Sequence, residues 1–504
     1  MYTGLLEHGY ALFQHIFYSG KTPVKTMRRP KKPRKHRGGN SLDRISSLPD
    51  DVLGHILSFL PTRSAVSTSI LSTKWQRLFT LTTCLSFDDA PCFDHPKENE
   101  RIEATRRFKE FVDKVLELHQ ISPIKKFSLV SHATITPDGS DLKRWFTNAL
   151  RKGVQELYYW LDRMPYYNTF DHDDFFMCET LVSLKMIGRE YHNIKVPLSA
   201  SLPKLKILHL GLVIFFDFNS VERLFSSCEL LEELTLSYCV CTTGGHVNMC
   251  TRILKVLTIE YCSFSPGTFE IDARNLAYLT YKSNMGVRII PSWKYSCSLV
   301  KAELSFGINE DSRHCERELL KAAAYKVAEL QFEVDSAQLL LTLDDDKQMP
   351  EFNSLSRLCI GACSCNAWKH VMRLIDKSPQ LKTVVFNSGF PCCINSSYDC
   401  PDYCYGGLLP PSDIPLEPFS CRVNVIEVYE FCGDKGPLLL MGHLLRNASV
   451  LKSLIVSTVC DINQEEELRI CKELLMLPRV SRDCCVKMNK GNKSLYYIPI
   501  PCRT

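Results

Sequence analysis

Two nonapeptides, LEELTLSYC (231–239) and LKVLTIEYC (254–262), carry the same pattern of apolar residues. Apolar side chains stand at the first, fourth and sixth positions, and a cysteine stands at the ninth. The pattern recurs along most of the chain, starting at Ile124, Val154, Leu181, Leu205, Leu231, Leu254, Leu276, Leu299, Val327, Leu355, Leu381, Val423 and Leu451. Successive starts lie 22 to 30 residues apart, except for the 42 residues between Leu381 and Val423.

The pattern and its period resemble the leucine-rich repeat, in which each unit contributes one short parallel strand. A single repeat cannot cover its own apolar side chains, so stability is a sum over neighbouring coils. The sequence therefore predicts an α/β fold, a horseshoe-shaped solenoid of parallel strands. Its concave sheet, which carries residues such as Lys206, Ile207 and His209, is the expected recognition surface.

The repeat template also explains some of the 24 cysteines. Cys239, Cys262 and Cys363 stand at a template position that takes asparagine or cysteine, so we expect them to pack inside the coil. A second group, Cys392, Cys393, Cys400 and Cys404, lies in the 42-residue interval. Zinc binding, a loop disulfide and an ordinary insertion are all compatible with it, but its spacing matches no standard ligand pattern. We therefore predict no metal and no cofactor.

The basic character of the chain is confined to its beginning. Residues 1–40 carry a formal charge of +8, which leaves −3 for the remaining residues out of a total of +5. The segment RRPKKPRKHR (28–37) contains two prolines, so we expect an exposed, extended tail. It fits a nuclear import signal, a phosphate-binding arm or a solvated tail, and its candidate import residues are Arg28, Arg29, Lys31, Lys32, Arg34, Lys35 and Arg37. Met27, just before this segment, is an alternative candidate for the start of translation.

The stretch 42–82, LDRISSLPDDVLGHILSFLPTRSAVSTSILSTKWQRLFTLT, indicates short helices. The proline and two aspartates at 49–51 suit the first turn of a helix, and Pro61 ends it. We expect a second helix from Thr62 and a third capped by Ser72. Three helices this short bury too little apolar surface to be stable alone, which indicates a partner.

The motifs LPDDVLGHILSFLP and SILSTKW resemble the F-box in its plant version, with Phe79 in place of a second tryptophan. The resemblance implies docking on a Skp-type adaptor and, through it, on a cullin-RING ubiquitin ligase. A helical hairpin that packs on its own C-terminal part is the alternative. By resemblance, the adaptor-binding residues are Leu48, Pro49, Val52, Leu53, Ile56, Leu57, Leu60, Pro61, Val66, Ser72, Trp75 and Leu78.

The segments VNVIEVYEFCG (423–433) and LLLMGHLLRNASVLKSLIV (438–456) resemble a plant FBD domain, which would cap the open end of the solenoid. The expected organisation is a disordered basic tail (1–40), F-box (41–88), linker (89–119), leucine-rich repeats (120–390), a Cys/Pro/Gly-rich loop (391–411), FBD-like repeats (412–490) and a tail or last strand (491–504).

Catalytic motifs such as H-E-x-x-H, G-x-S-x-G and G-x-G-x-x-G do not occur, and no apolar run is long enough for a membrane helix. Together with this, the resemblance to the F-box implies a non-catalytic subunit, expected in the nucleus or cytoplasm, that presents an unidentified protein substrate to the ligase. The rival hypotheses are a nucleic-acid-binding protein that uses the basic tail and a scaffold that acts without the ligase. The charge of −3 outside the tail makes nucleic acid the weaker choice.

Overall fold

The structure is a computed structural model with two compact units, one ending at Ile214 and one beginning at Phe215. It describes residues 43–94, 97–119, 122–132, 139–162, 173–241, 243–264, 267–283, 288–291, 298–306, 313–332, 349–361, 368–390, 421–459 and 462–489. The basic segment 28–37, Met27, Cys363 and the cysteines at 392–404 lie outside these residues. Within the described ranges, no helix combines the length and apolar character needed to cross a membrane.

The first unit consists of a helical module followed by a parallel sheet with helices between its strands. Its helices are α1 Asp50–Leu57, α2 Thr62–Ser67, α3 Glu98–Leu118, α4 Gly139–Arg151 and α5 Asp173–Phe176. The 3₁₀ segments are Thr68–Ile70, Trp75–Leu81 and Ala90–Asp94. The strands are β1 Cys84–Asp88, β2 Lys126–Ser131, β3 Glu156–Leu161, β4 Ser183–Ile194 and β5 Ile207–Phe215, whose last residue begins the second unit.

The second unit continues the same alternation. Its helices are α6 Phe218–Ser226, α7 Arg313–Ala324, α8 Trp368–Asp376, α9 Lys435–Asn447 and α10 Gln464–Met476. Its strands are β6 Glu233–Ser237, β7 Val240–Cys241, β8 Gly245–Cys250, β9 Val256–Glu260, β10 Ser263–Phe264, β11 Gly267–Asp272, β12 Tyr278–Lys282, β13 Arg288–Pro291, β14 Lys301–Ser305, β15 Glu329–Phe332, β16 Arg357–Ile360, β17 Thr383–Phe386, β18 Val425–Phe431, β19 Ser453–Thr458 and β20 Cys485–Asn489.

All thirteen predicted strands are present, and their register aligns the fourth template position. In the first unit Phe127, Leu157 and Leu184 lie opposite one another and are at most 1% exposed. In the second unit the corresponding row runs from Leu234 on β6 to Leu454 on β19, always in parallel pairing. This confirms the predicted α/β solenoid of leucine-rich repeats.

Two of the template cysteines lie where predicted, inside a repeated turn. Cys239 and Cys262 are at most 1% exposed, and the Cys262 thiol donates to the carbonyl oxygen of Leu236 at 3.4 Å. The residues before them, Tyr238 and Tyr261, have φ angles of 55° and 52°. Residues other than glycine rarely adopt this left-handed backbone conformation. The two tyrosine rings stack with centroids 5.2 Å apart, so adjacent repeats stabilise the same turn together.

The expected linker at 89–119 is instead largely helical, and this corrects the sequence interpretation. Helix α3 is 21 residues long and buries Val112, Val115 and Leu116. The indole N–H of Trp145 on α4 donates to the carboxylate of Asp113 at 2.6 Å. The dense charges on the outer face of α3 give the segment a linker-like composition, which conceals the narrow apolar stripe on its other side.

A small sheet made of β8, β11 and β13 was not foreseen, because its strands lack the repeat template. Phe218 of α6 packs against it where two glycines, Gly245 and Gly267, lie opposite each other in register. A methyl group at Gly267 would lie 2.5 Å from the Phe218 ring and 2.6 Å from the carbonyl oxygen of Phe264. The close approach of ring and backbone therefore requires glycine here.

We predict that Gly267→Ala lowers the free energy of unfolding of the second unit by about 1–3 kcal/mol, because the added methyl group overpacks this contact. Gly442→Ala is the matched control in the interior of α9, where the new methyl group would meet only Leu477 Cδ2 at 3.3 Å. It should raise stability by up to about 1 kcal/mol through helix propensity. Chemical denaturation measures both changes. An unchanged free energy of unfolding in the Gly267→Ala variant would contradict the described packing.

A second prediction concerns acid sensitivity of the first unit. Burial lowers the pKa of His192 and of His209 to about 4, so both imidazoles are neutral in the folded chain. The unfolded chain takes up these protons below about pH 6.5, so stability falls as the pH falls. We expect each histidine to lower the free energy of unfolding by an amount on the order of 2 kcal/mol when the pH falls from about 7 to about 5.

The variant His192→Gln isolates one of these contributions, because glutamine does not titrate. The unfolding free energy of this variant should depend less steeply on pH than that of the original chain, whatever its absolute stability. If the unfolding free energies of the variant and of the original chain depend equally steeply on pH, His192 is not held neutral in the folded chain.

Candidate docking site on the helical module

Prolines set the limits of the helices in the module, as the sequence predicts. Pro49 precedes α1 and Pro61 precedes α2, and two aspartates occupy the first turn of α1. The third helix differs from the expectation, because it is a 3₁₀ segment that begins at Trp75 with Lys74 before it. Ser72 is exposed and does not cap it.

Four of the twelve predicted adaptor-binding residues form the internal core of the module. Leu53, Leu57, Trp75 and Leu78 are between 0% and 8% exposed and pack with Ala65 and Phe79. Leu48 and Val66 pack against this core and are only partly buried. The apolar surface of the four core residues is already covered within the chain, so the structure gives them a role in stabilising the module. Their direct contact with an adaptor, and that of Leu48 and Val66, stays a prediction.

Polar contacts close the core where the chain enters the module. The indole N–H of Trp75 donates to Ser46 Oγ at 2.8 Å. The ammonium group of Lys74 donates to the carbonyl oxygens of Ser46 and Leu48 at 2.7 and 2.8 Å. It also lies 3.4 Å from the carboxylate of Asp50. These contacts hold the third segment against the start of α1 and fix the relative position of the helices.

The other predicted residues are exposed, and three of them lie on one side of α1 and its C-terminal continuation. Val52, Ile56 and Leu60 are 42%, 42% and 39% exposed, while Pro49, Pro61 and Ser72 are also exposed. Residues four apart on a helix share a face, so Val52 and Ile56 form a stripe separate from Leu53 and Leu57. Exposed apolar side chains grouped in this way mark an interaction surface.

The sequence interpretation missed four further exposed apolar side chains in the module, of which Ile45 is 58% exposed. Phe59 is 77% exposed, and its ring lies edge-on to His55 with centroids 5.0 Å apart. Ile70 and Leu71 are 87% and 64% exposed. The signal was present, because α1 and the residues after it contain more apolar positions than one buried stripe can use. We call Val52, Ile56, Phe59 and Leu60 the docking face.

Hydrogen bonds join the module to the sheet of the first unit. The hydroxyl oxygen of Thr62 accepts from the backbone N–H of Ser86 on β1 at 2.7 Å. The imidazole of His119 donates from Nε2 to the carbonyl oxygen of Thr82 at 2.6 Å. Lys152 donates to the carbonyl oxygen of His119, and burial lowers the pKa values of both side chains. The docking face is thus presented on a fixed base.

No group of three or more histidine, cysteine or acidic side chains in the described ranges is arranged to hold a metal ion. The cysteines at 392–404, for which zinc was one alternative, fall outside those ranges.

Comparisons with known proteins agree with this architecture. The model of the F-box domain family matches residues 45–84. The model described as the LRR repeats of the FBD-associated F-box protein At5g56370 matches residues 142–298. The first match coincides with the helical module, and the second lies within the repeat region.

Full-length relatives extend the similarity across both regions. The F-box/LRR-repeat protein At2g42730 of Arabidopsis thaliana is 31% identical over 477 residues, which cover 90% of this chain and 100% of the relative. Arabidopsis At3g58930 is 30% identical over 447 residues, covering 82% of this chain and 89% of that protein. The F-box/LRR-repeat protein At4g14103 of Arabidopsis thaliana is 32% identical over 382 residues, which cover 72% of this chain and 96% of that protein.

The separation of core and docking face predicts opposite behaviour for two neighbouring residues. Leu53→Ala should destabilise the module by about 2–5 kcal/mol, because it opens a cavity in the core. Val52→Ala should change stability by less than about 1 kcal/mol, because the side chain is exposed. Hydrogen exchange of the backbone amides at 45–84 measures both, and similar protection in the two variants would contradict the assignment.

Proposed function

This chain belongs to the plant F-box/leucine-rich-repeat family, and from that membership we propose that it is the substrate-recognition subunit of an SCF-type cullin-RING ubiquitin ligase. The F-box would dock on a Skp-type adaptor, and the face of the repeat sheet would hold a protein target. Ubiquitin transfer would be catalysed by other subunits. This chain would contribute proximity, which raises the effective concentration of the target near the transferred ubiquitin.

The observation that supports adaptor docking is the docking face itself. Its four residues expose apolar side chains, although the module already has a closed core beneath them. The apolar face of a helix that binds in a hydrophobic groove is a common mode of recognition. The partly exposed Ile56 and the strongly exposed Phe59 are the expected anchors, because large apolar side chains dominate the binding energy of such interfaces.

We predict that Ile56→Asp and Phe59→Asp each weaken binding to a purified Skp-type adaptor by at least tenfold (~1.4 kcal/mol), because a carboxylate would be buried in the interface. The fold should survive, since neither side chain belongs to the core. Isothermal titration calorimetry measures the affinity, and thermal unfolding reports the fold.

Leu118→Asp is the matched control. Leu118 is 48% exposed on α3, outside the F-box match, so the same chemical change there should leave adaptor binding unaltered. If the docking-face variants bind as tightly as the original chain, the proposed adaptor site is wrong. Adaptor binding that persists without recruitment of a cullin would instead support a scaffold that acts without the ligase.

A further inference from the structure

The sheet face of the second unit is rich in charges that already neutralise one another. The ammonium group of Lys301 lies 2.7 Å from the Glu329 carboxylate, and Arg357 donates two hydrogen bonds of 3.0 Å to Glu427. Lys282 lies 2.6 Å from the carboxylate of Glu303. A partner's charge would have to displace one of these contacts, so they contribute little net attraction to a target.

The sheet face of the first unit has a different chemical character. Trp160 on β3 lies in register with Val130 on β2, which lies in register with Asp88 at the end of β1. The ring of His132 lies 4.6 Å from the Trp160 ring, and its Nε2 is 3.9 Å from the Asp88 carboxylate. Aromatic and acidic groups are therefore gathered at one edge of this sheet.

The adjacent row of the same face adds a phenol and a cation. Tyr158 stands two residues before Trp160, on the same face of β3, and lies in register with Lys185 on β4. Burial, together with the negative charge of Asp88, raises the pKa of Tyr158 to about 12, so its hydroxyl stays protonated and able to donate. We call Asp88, His132, Tyr158, Trp160 and Lys185 the recognition patch.

The two formal charges of the patch have no strong partner of opposite sign within the described ranges. The side chain of Asp88 is 56% exposed, and His132 is the only basic group within 4.0 Å of its carboxylate among the described residues. Lys185 is partly exposed, and no described acidic group lies within ion-pair distance of it. Its neighbour His209 is held neutral by burial and by the Lys185 charge, with a pKa of about 4.

The spacing of these charges limits what can bind. Asp88 and Lys185 lie three strands apart, about 14 Å at the usual strand separation, and two residues apart along the strands, about 7 Å. The direct distance is therefore about 16 Å, which an extended peptide covers in about five residues.

We propose that the recognition patch binds an extended peptide segment that carries arginine or lysine at Asp88 and, about five residues away, a carboxylate at Lys185. Apolar or aromatic residues between these charges pack on Tyr158 and Trp160. This inference rests on the proposed function, because it names the chemistry of the target that the ligase subunit would present.

The test uses the purified full chain, alone and in the presence of a Skp-type adaptor, and a random peptide library displayed on phage. Selected peptides should be enriched in a basic residue followed or preceded, about five positions away, by an acidic one. A selected peptide, synthesised and titrated, should bind Asp88→Lys at least tenfold (~1.4 kcal/mol) more weakly. Replacing its basic residue with glutamate should restore binding to that variant, because the charges are then exchanged.

Asp483→Lys is the matched control, since Asp483 is an exposed aspartate in the second unit. It should leave the selected motif unchanged. Trp160→Ala should weaken the binding of every selected peptide, whatever the charge of that peptide. Selection without a basic preference, absence of any selected motif, or a preference that survives Asp88→Lys would each overturn the proposal.

Adaptor affinity, measured on the same samples, separates the two proposals. A complex that forms with the adaptor but selects no such motif refutes the recognition patch alone. A chain that selects the motif but does not bind the adaptor refutes the proposed ligase function instead.

Discussion

Within each unit, the repeats depend on a row of buried side chains at the fourth template position. Each member is covered by the equivalent residue of the next strand, as Leu234 is by Leu257 and Leu257 by Leu279. Burying such a side chain stabilises the fold by about 1.5–3 kcal/mol, but only while the neighbouring coil is in place. Stability is therefore a property of contacts between repeats, and the ladder of parallel hydrogen bonds keeps those contacts in register.

The helical module meets the same requirement in a different way. It closes a small core with Leu53, Leu57 and Trp75, and its attachment through Thr82 and His119 adds support from the sheet. The apolar residues of the docking face are then left over, since the core has no room for them. A surface that is costly to expose in isolation is consistent with a module whose stable state includes a partner.

The sequence predicted some parts of this arrangement well and others poorly, for physical reasons. All thirteen templated strands were found because three regularly spaced apolar positions are enough to specify a strand in a stack. The sequence did not distinguish the buried face of α1 from its exposed apolar face. The exposed residues 52 and 56 are four positions apart, and so are the buried residues 53 and 57, so both pairs fit a helical stripe equally well. Strand β1 and the sheet around β11 lack the template, and only their pairing partners reveal them.

Charge pairing across the sheet was equally hidden. Arg357 and Glu427 are 70 residues apart in sequence and belong to strands separated by β17, with the 42-residue interval between them. No local pattern indicates such a pair. The same holds for the recognition patch, whose members Asp88 and Trp160 come together only through the register of three strands.

The position of Asp88 explains why its charge is left for a partner. Charges within a parallel sheet lie about 5 Å from equivalent positions on both neighbouring strands, so opposite charges there readily neutralise each other. In the described residues β1 pairs with β2 alone, and the residue beside Asp88 is the apolar Val130. Lys185 likewise has Tyr158 in register and a neutral His209 nearby. A terminal strand and neutral neighbours therefore preserve two opposite charges beside the aromatic side chains, and complementarity to a charged peptide follows from the topology of the sheet.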